Sequence, residues 1–233
     1  MKYAILAAGE GSRLHQEGIR KSKPLVEING EPMIKRLIRI FMDNSAEEIV
    51  IITNNESKEV QDYVRQLITE GMPLKLVVKT TPSSMHSFYE LAPLLGQGKF
   101  CMTTVDTIFR ENEFSEYIRA FQSFDGDALM AVTDYIDDEK PLYTVLDSLS
   151  NITEFSDSPS DGHNYVSGGI YGLTDSSFRV LDECIKSGQS RMRNFQRQLI
   201  NNRLTVKAYP FTKILDVDHA TDIIKAESFI NTL

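Results

Sequence analysis

The chain has 233 residues, of which 33 are acidic and 25 are Lys or Arg, giving a formal net charge of −8. So acidic a balance disfavours nucleic acid and anionic membranes as general partners, and no apolar run is long enough to span a bilayer. Hydrophobic residues make up 41%, enough at this length to bury a core without disulfide or metal staples. The two cysteines, Cys101 and Cys184, stand in no metal-ligand spacing and read as small core residues of a reducing compartment. The first apolar run is short and followed by glycines and charge, unlike a signal peptide, so a cytoplasmic protein is expected.

Residues 3–8 form a short apolar run suited to a buried parallel strand, followed by Gly9-Glu10-Gly11-Ser12-Arg13 and, ten residues after Arg13, by Lys23-Pro24-Leu25. Glycines let a backbone turn tightly and press its N–H groups against an anion. Arg13 can grip two phosphate oxygens, and Lys23 adds a compact point charge. The stretch reads as a phosphate site of its own kind. It lacks the third glycine of the dinucleotide fingerprint, having Leu14 there, and the Gly-Lys-Ser/Thr of a P-loop.

Beyond it the pattern alternates. Residues 26–28 suit a short strand, Asn29-Gly30 a turn, and Pro32 the first turn of a helix carrying Met33, Ile34, Leu37, Ile38, Ile40 and Phe41 at helical spacing. Strands are expected at 49–53, 74–78, 100–105 and 128–133, and helices at 57–70 (capped by Ser57), from near 85, and at 112–123. Residues 143–147 and 152–155 suit antiparallel strands, 161–163 a loop, 167–172 a strand with a glycine bulge, and 176–187 and 192–201 helices. A last strand at 213–218 and a helix at 220–230 close the chain. This order predicts an α/β fold: a Rossmann-like, doubly wound, mostly parallel sheet with a small antiparallel insertion. Ligands of such sheets sit beyond the carboxyl ends of the strands, where Gly9, Asn54, Lys79 and Asp106 all fall.

The segments LAAGEGSRL and KPLVEINGEPMI resemble the amino-terminal signature of the nucleotidyltransferases that make activated sugars and related headgroups. That family includes the sugar-1-phosphate nucleotidyltransferases (sugar-nucleotide pyrophosphorylases) and the phosphocholine-type cytidylyltransferases. TVDTIF around Asp106 and DVDHATDII from Asp216 fit two further family patterns, and SGGIYG from Ser167 is similar to a third. The resemblance implies one catalytic domain over residues 1–233. It implies a Mg2+-dependent reaction in which a nucleoside triphosphate is joined to a phosphorylated acceptor, most simply a sugar 1-phosphate, with release of pyrophosphate.

Residue by residue, the resemblance makes Arg13 and Lys23 the catalytic cations. It assigns the nucleotide to Leu6, Ala7, Ala8, Gly9 and Gly11 together with Thr81, Ser83 and Ser84, and magnesium to Asp106, Asp216 and Asp218. It gives the acceptor to Asp157, Gly169 and Tyr171, on the antiparallel insertion. Where the sugar enzymes carry Glu-Lys-Pro, this chain has Asp157-Ser158-Pro159, so the acceptor phosphate falls to Lys23 and the metal. The serine-rich loop before Met85 is closer to the phosphocholine-type enzymes, which keeps CTP and an alcohol phosphate open as the substrates. A catalytically silent, nucleotide-binding homologue is a further alternative. Neither nucleic acid nor membrane is expected as a partner, and a homo-oligomer is left open.

Overall fold

The apolar runs are continuous because their two faces are both covered. The computed structural model describes residues 1–159 and 164–232; the loop expected at 161–163 lies outside them. Strand β1 (Lys2–Ala7) is followed by a short helix α1 (Ser12–Gln16), a 3₁₀ turn at Lys23–Leu25, and the hairpin β2 (Glu27–Ile28) and β3 (Glu31–Pro32). Next come α2 (Met33–Asp43), β4 (Glu48–Thr53), α3 (Lys58–Thr69), β5 (Leu74–Val78), α4 (Ser84–Leu95), β6 (Lys99–Thr104), β7 (Thr107–Ile108) and α5 (Glu111–Ser123). The chain continues through β8 (Ala128–Thr133), β9 (Tyr143–Leu146), β10 (Ile152–Ser156), β11 (Tyr165–Thr174), α6 (Ser176–Lys186) and α7 (Met192–Asn201). It closes with β12 (Val206–Phe211), β13 (Leu215–Asp216) and α8 (Ala220–Asn231).

β1 lies in parallel between β4 and β6, with β5 beyond β4. Successive side chains of a strand point to opposite faces. Tyr3 and Ile5 accordingly pack with Ile49 and Ile51 in a core that takes in α2, α3 and α5, while Ala4 and Leu6 pack with Val50 and Ile52 in a second core under α4, α6 and α7. In the first core Tyr3 stacks on Phe41 with ring centres 4.5 Å apart, and its hydroxyl donates to the Asn44 carbonyl at 2.9 Å.

Two strands, β10 and β11, run against the rest of the main sheet. β11 is antiparallel to β6 on one side and to β8 on the other, and its first residues also pair with β9, the inner strand of the β9–β10 hairpin. The reversal places Gly169 and Tyr171 beside the carboxyl end of β6, where Asp106 follows. The expected α/β sheet with its antiparallel insertion is therefore the observed architecture. No helix among the described residues is long and apolar enough to cross a membrane.

Several local expectations change. Val206–Phe211 forms an outer strand parallel to β8; Lys207 and Pro210 interrupt the apolar run that would have announced it. The strand expected at 213–218 shrinks to the two residues of β13, paired with β7 apart from the main sheet. Asp216 and Asp218 are thus not two positions of one strand. Pro32 sits at the cap of α2 in an extended conformation and ends β3, with the helix starting at Met33. Asn29 and Gly30 both have positive φ, the backbone that a two-residue hairpin turn requires. Ser57 makes no side-chain cap; Asn54 accepts the Glu56 and Ser57 N–H groups instead.

β11 is packed to its limit against α5. A Cβ on Gly172 would lie 2.8 Å from the Tyr117 hydroxyl and 2.9 Å from the Phe121 ring. Gly172→Ala is expected to cost about 1–3 kcal/mol of unfolding free energy in urea; an unchanged midpoint would show that the two rings can yield.

Candidate active site

The carboxyl ends of β1, β4 and β6 open on one cleft, and the glycine loop forms its floor. Gly11 adopts φ +63, and a Cβ there would lie 2.8 Å from the Lys23 Cβ. Only glycine lets the loop turn this way while the backbone of Lys23 closes over it. Asn54, at the end of β4, braces the loop from below, its Nδ2 donating to the Ala8 and Gly9 carbonyls at 3.3 and 3.4 Å.

Beside the loop is a cavity of about 550 Å³. Leu6, Ala8, Gly9, Gly11, Arg13 and Lys23 line one wall; Thr81, Ser83, Ser84, Asp106 and Asp218 complete it. Ala7 turns away into the core below the sheet. Lys79, expected at this cleft, is not among the lining residues and pairs with Glu90 at 2.8 Å. The polar loop is internally bonded: the Thr81 and Ser87 hydroxyls lie 2.6 Å apart, and the Ser83 hydroxyl meets His86 Nδ1 at 2.9 Å.

A second cavity, of about 310 Å³, meets the first at Ser84 and Thr104. Gly169, Tyr171 and Asp216 line it. Gly169 has φ +74. Asp157 lines neither cavity: Arg193 and Arg197 hold its carboxylate, the latter at 2.7 Å. The wall of the second cavity instead carries Lys140, Arg191 and Arg193. The sequence reading passed over these cations; the cluster Arg191, Arg193 and Arg197 at the start of α7 was the available signal. Arg191 sits in the left-handed φ region at 75° as the cap of α7, a conformation uncommon for a side chain of its size and often kept at functional positions.

Charge concentrates on both cavities, with Lys23, Asp106 and Asp218 on the first and Asp216 on the second. The Lys23 ammonium, 11% exposed, contacts Asp106 and lies 2.7 Å from Asp218 Oδ1. Burial pulls the Lys23 pKa down, but the two carboxylates more than offset it and hold the ammonium above its ordinary value. Arg13 reaches the other Asp218 oxygen at 2.9 Å and Glu139 at 3.5 Å. Asp216 has no ion pair among the described residues. The protein packed around it, and then the charge of Asp106, raise its carboxyl above the usual range, although its side chain still presents surface to the cleft.

Three carboxyl groups thus gather near one buried ammonium, two of them paired with it, and offer oxygen ligands of the kind a hard cation takes. Among the described residues no three ligating groups close into a ready-made metal cage. A magnesium-like ion does not need one, because it keeps several waters and takes one or two carboxylates along with substrate phosphates.

A family model described as Nucleotidyl transferase matches residues 2–232. The chain belongs to that family. Its members generally use a divalent metal, in keeping with these oxygen ligands. Among curated proteins, the Bifunctional protein GlmU of Methanococcus maripaludis is 24% identical over 244 residues, covering 100% of this chain and 55% of its own length. The Probable mannose-1-phosphate guanylyltransferase 1 of Oryza sativa subsp. japonica is 26% identical, covering 90% of this chain and 59% of its own length. The chain therefore spans little more than half the length of these relatives. The solved inositol-1-phosphate CTP transferase from T. maritima shares the fold, with a TM-score of 0.82 at 20% identity, over 98% of this chain and 95% of its own.

Gly11→Ala is expected to lower unfolding free energy by about 1–3 kcal/mol through backbone strain and to displace Lys23 from its carboxylates. Urea denaturation reads the first, and faster chemical acetylation of Lys23 reads the second. Wild-type values for both would mean that the loop does not depend on the glycine.

Proposed function

We propose that residues 1–233 form the catalytic domain of a Mg2+-dependent nucleotidyltransferase that joins a nucleoside triphosphate to a phosphorylated small-molecule acceptor and releases pyrophosphate. The observation that carries this reading is a pair of adjoining cavities with one charge cluster on their walls, Lys23, Asp106 and Asp218 on the first and Asp216 on the second. The glycine-loop cavity takes the triphosphate, and the cavity beside Gly169 and Tyr171 takes the acceptor. A sugar 1-phosphate is the preferred acceptor class. The two free cysteines are buried, which accords with a cytoplasmic site of action.

In the reaction an acceptor phosphate oxygen attacks the α-phosphorus, the bond from α-phosphorus to the bridging oxygen breaks, and pyrophosphate departs with the electron pair. A phosphate monoester is already ionised near neutral pH, so no general base is required. The protein's task is positioning and charge neutralisation. Arg13 grips the β- and γ-phosphates and follows the leaving pyrophosphate. Lys23 holds the α-phosphate and the incoming phosphate together. The Leu6–Gly11 backbone and the Thr81, Ser83 and Ser84 loop seat the nucleoside. Asp106 with Asp216 and Asp218 would hold a divalent ion, which supplies neutralising charge to the reacting phosphates.

The acceptor wall also bears on the choice of acceptor. Asp157 is neutralised by Arg193 and Arg197, and the loss of the family's lysine at Ser158 is offset by Arg191, which has no ion pair among the described residues. A quaternary ammonium such as choline wants aromatic faces. Here, among the described residues, Tyr171 is the one aromatic side chain lining the cavity, 6% exposed, and Arg191 stands there without an ion pair. A hydroxyl-rich anionic acceptor suits this wall better than phosphocholine.

Pyrophosphate release, assayed with Mg2+ across the four ribonucleoside triphosphates and dTTP against sugar 1-phosphates, inositol 1-phosphate and phosphocholine, tests the reading. Turnover with one donor and one acceptor supports it. Nucleotide binding without turnover on any pair would favour the silent homologue. Asp106→Asn is expected to abolish turnover without changing the melting temperature, and Lys23→Ala to cut kcat by about 10²–10³-fold; wild-type rates would remove either residue from the mechanism. Arg191→Ala is expected to raise the acceptor KM about tenfold while the nucleotide KM stays put, and a rise in both would place Arg191 elsewhere in the reaction.

A further inference from the structure

Asp218 has to stay beside the glycine loop while Arg13, its partner there, is drawn to the triphosphate. Among the described residues, two polar links join residues 12–17 to residues 218–222. One is the 2.9 Å pair of Arg13 with Asp218. The other is made by Glu17, the residue that ends α1. Its Oε1 lies 2.6 Å from His219 Nδ1, and its Oε2 accepts the Ala220 backbone N–H at 2.6 Å. Arg13 cannot keep Asp218 and grip phosphates with the same nitrogen. Once it turns to substrate, Lys23 keeps the other Asp218 oxygen, and the polar tie left between residues 12–17 and 218–222 is Glu17.

We infer that Glu17 is a positioning residue, which clamps the start of α8 to the glycine-loop helix and so holds Asp218 at the metal-binding cluster during turnover. The inference rests on the function proposed above. The geometry suits the task. A carboxylate at a helix N-terminus receives unpaired N–H groups and the favourable end of the helix dipole, and a two-oxygen grip fixes direction as well as distance. α8 also makes a cap of its own, in which Asp222 accepts the His219 N–H at 2.8 Å. Asp222 can therefore keep the helix wound when Glu17 is lost, but it cannot tie that helix to α1.

Glu17→Ala and Glu17→Gln test this. Mn2+ binding, followed by electron paramagnetic resonance with and without the triphosphate, is read alongside steady-state kinetics. Glu17→Ala is expected to lose about tenfold in Mn2+ affinity and a comparable factor in kcat, with the nucleotide KM within about twofold of wild type. Glu17→Gln still accepts the Ala220 N–H and is expected to recover most of both. Wild-type Mn2+ affinity in Glu17→Ala overturns the inference, as does a Gln variant no better than Ala. A wild type that binds Mn2+ but turns over no substrate sinks the proposed reaction alone, since the Mn2+ difference still decides the role of Glu17. A wild type that takes up no Mn2+ overturns both.

Discussion

The site depends on one ammonium group held between two carboxylates from distant parts of the chain. Lys23 is almost sealed from solvent between Asp106 and Asp218. An isolated lysine in such a place would shed its proton; the carboxylates prevent that. An uncompensated pair of carboxylates would repel each other; the ammonium prevents that too. Buried charges of this kind contribute little net stability, because desolvation consumes most of the Coulomb gain. Their value lies in assembling charge at a fixed point ahead of the reaction, where a triphosphate and a metal ion later redistribute it.

The sheet determines where that point lies. The β1, β4 and β6 strands end together because their apolar runs are in register, with Ile5 opposite Ile51 and Thr103. The short glycine loop then has only the open space above those ends to occupy. β11 enters from the opposite direction, which brings Gly169 and Tyr171 to the wall of the second cavity, next to the glycine-loop cavity. The first cavity is walled largely by loops of the parallel strands, and the second largely by β11, α7 and the segment before β9.

Legibility followed the range of the forces involved. The parallel strands could be read because burial on both faces writes a continuous apolar run. The glycine loop could be read because its chemistry is local: turn, cation and strand end within a few residues. The acceptor side could not be read in the same way. Asp157 has the right charge at a matching position, yet Arg193 and Arg197 reach it from α7 and occupy both oxygens, a pairing set by how a helix packs on a hairpin. Lys79 stands at a strand end, but Glu90 on the following helix takes its charge. β12 was hidden because Lys207 and Pro210 interrupt it, and its place is given by pairing with β8 rather than by its own pattern. Asn54 was recognised as a strand-end residue, but its bracing of the Ala8 and Gly9 carbonyls follows only from the parallel pairing of β1 with β4.

The span of these contacts along the chain has a consequence for biosynthesis. Lys23 and Asp218 are 195 positions apart, and Glu17 and Ala220 are 203 apart. Contacts so distant carry a large closure entropy and form late, after locally wound helices and neighbouring strands. On a ribosome the glycine loop leaves the exit tunnel long before the aspartate that completes its charge balance. A nascent chain halted just after β12 would carry every described strand of the main sheet and still lack Asp218, so the charge cluster around Lys23 closes only once residue 218 has followed the loop.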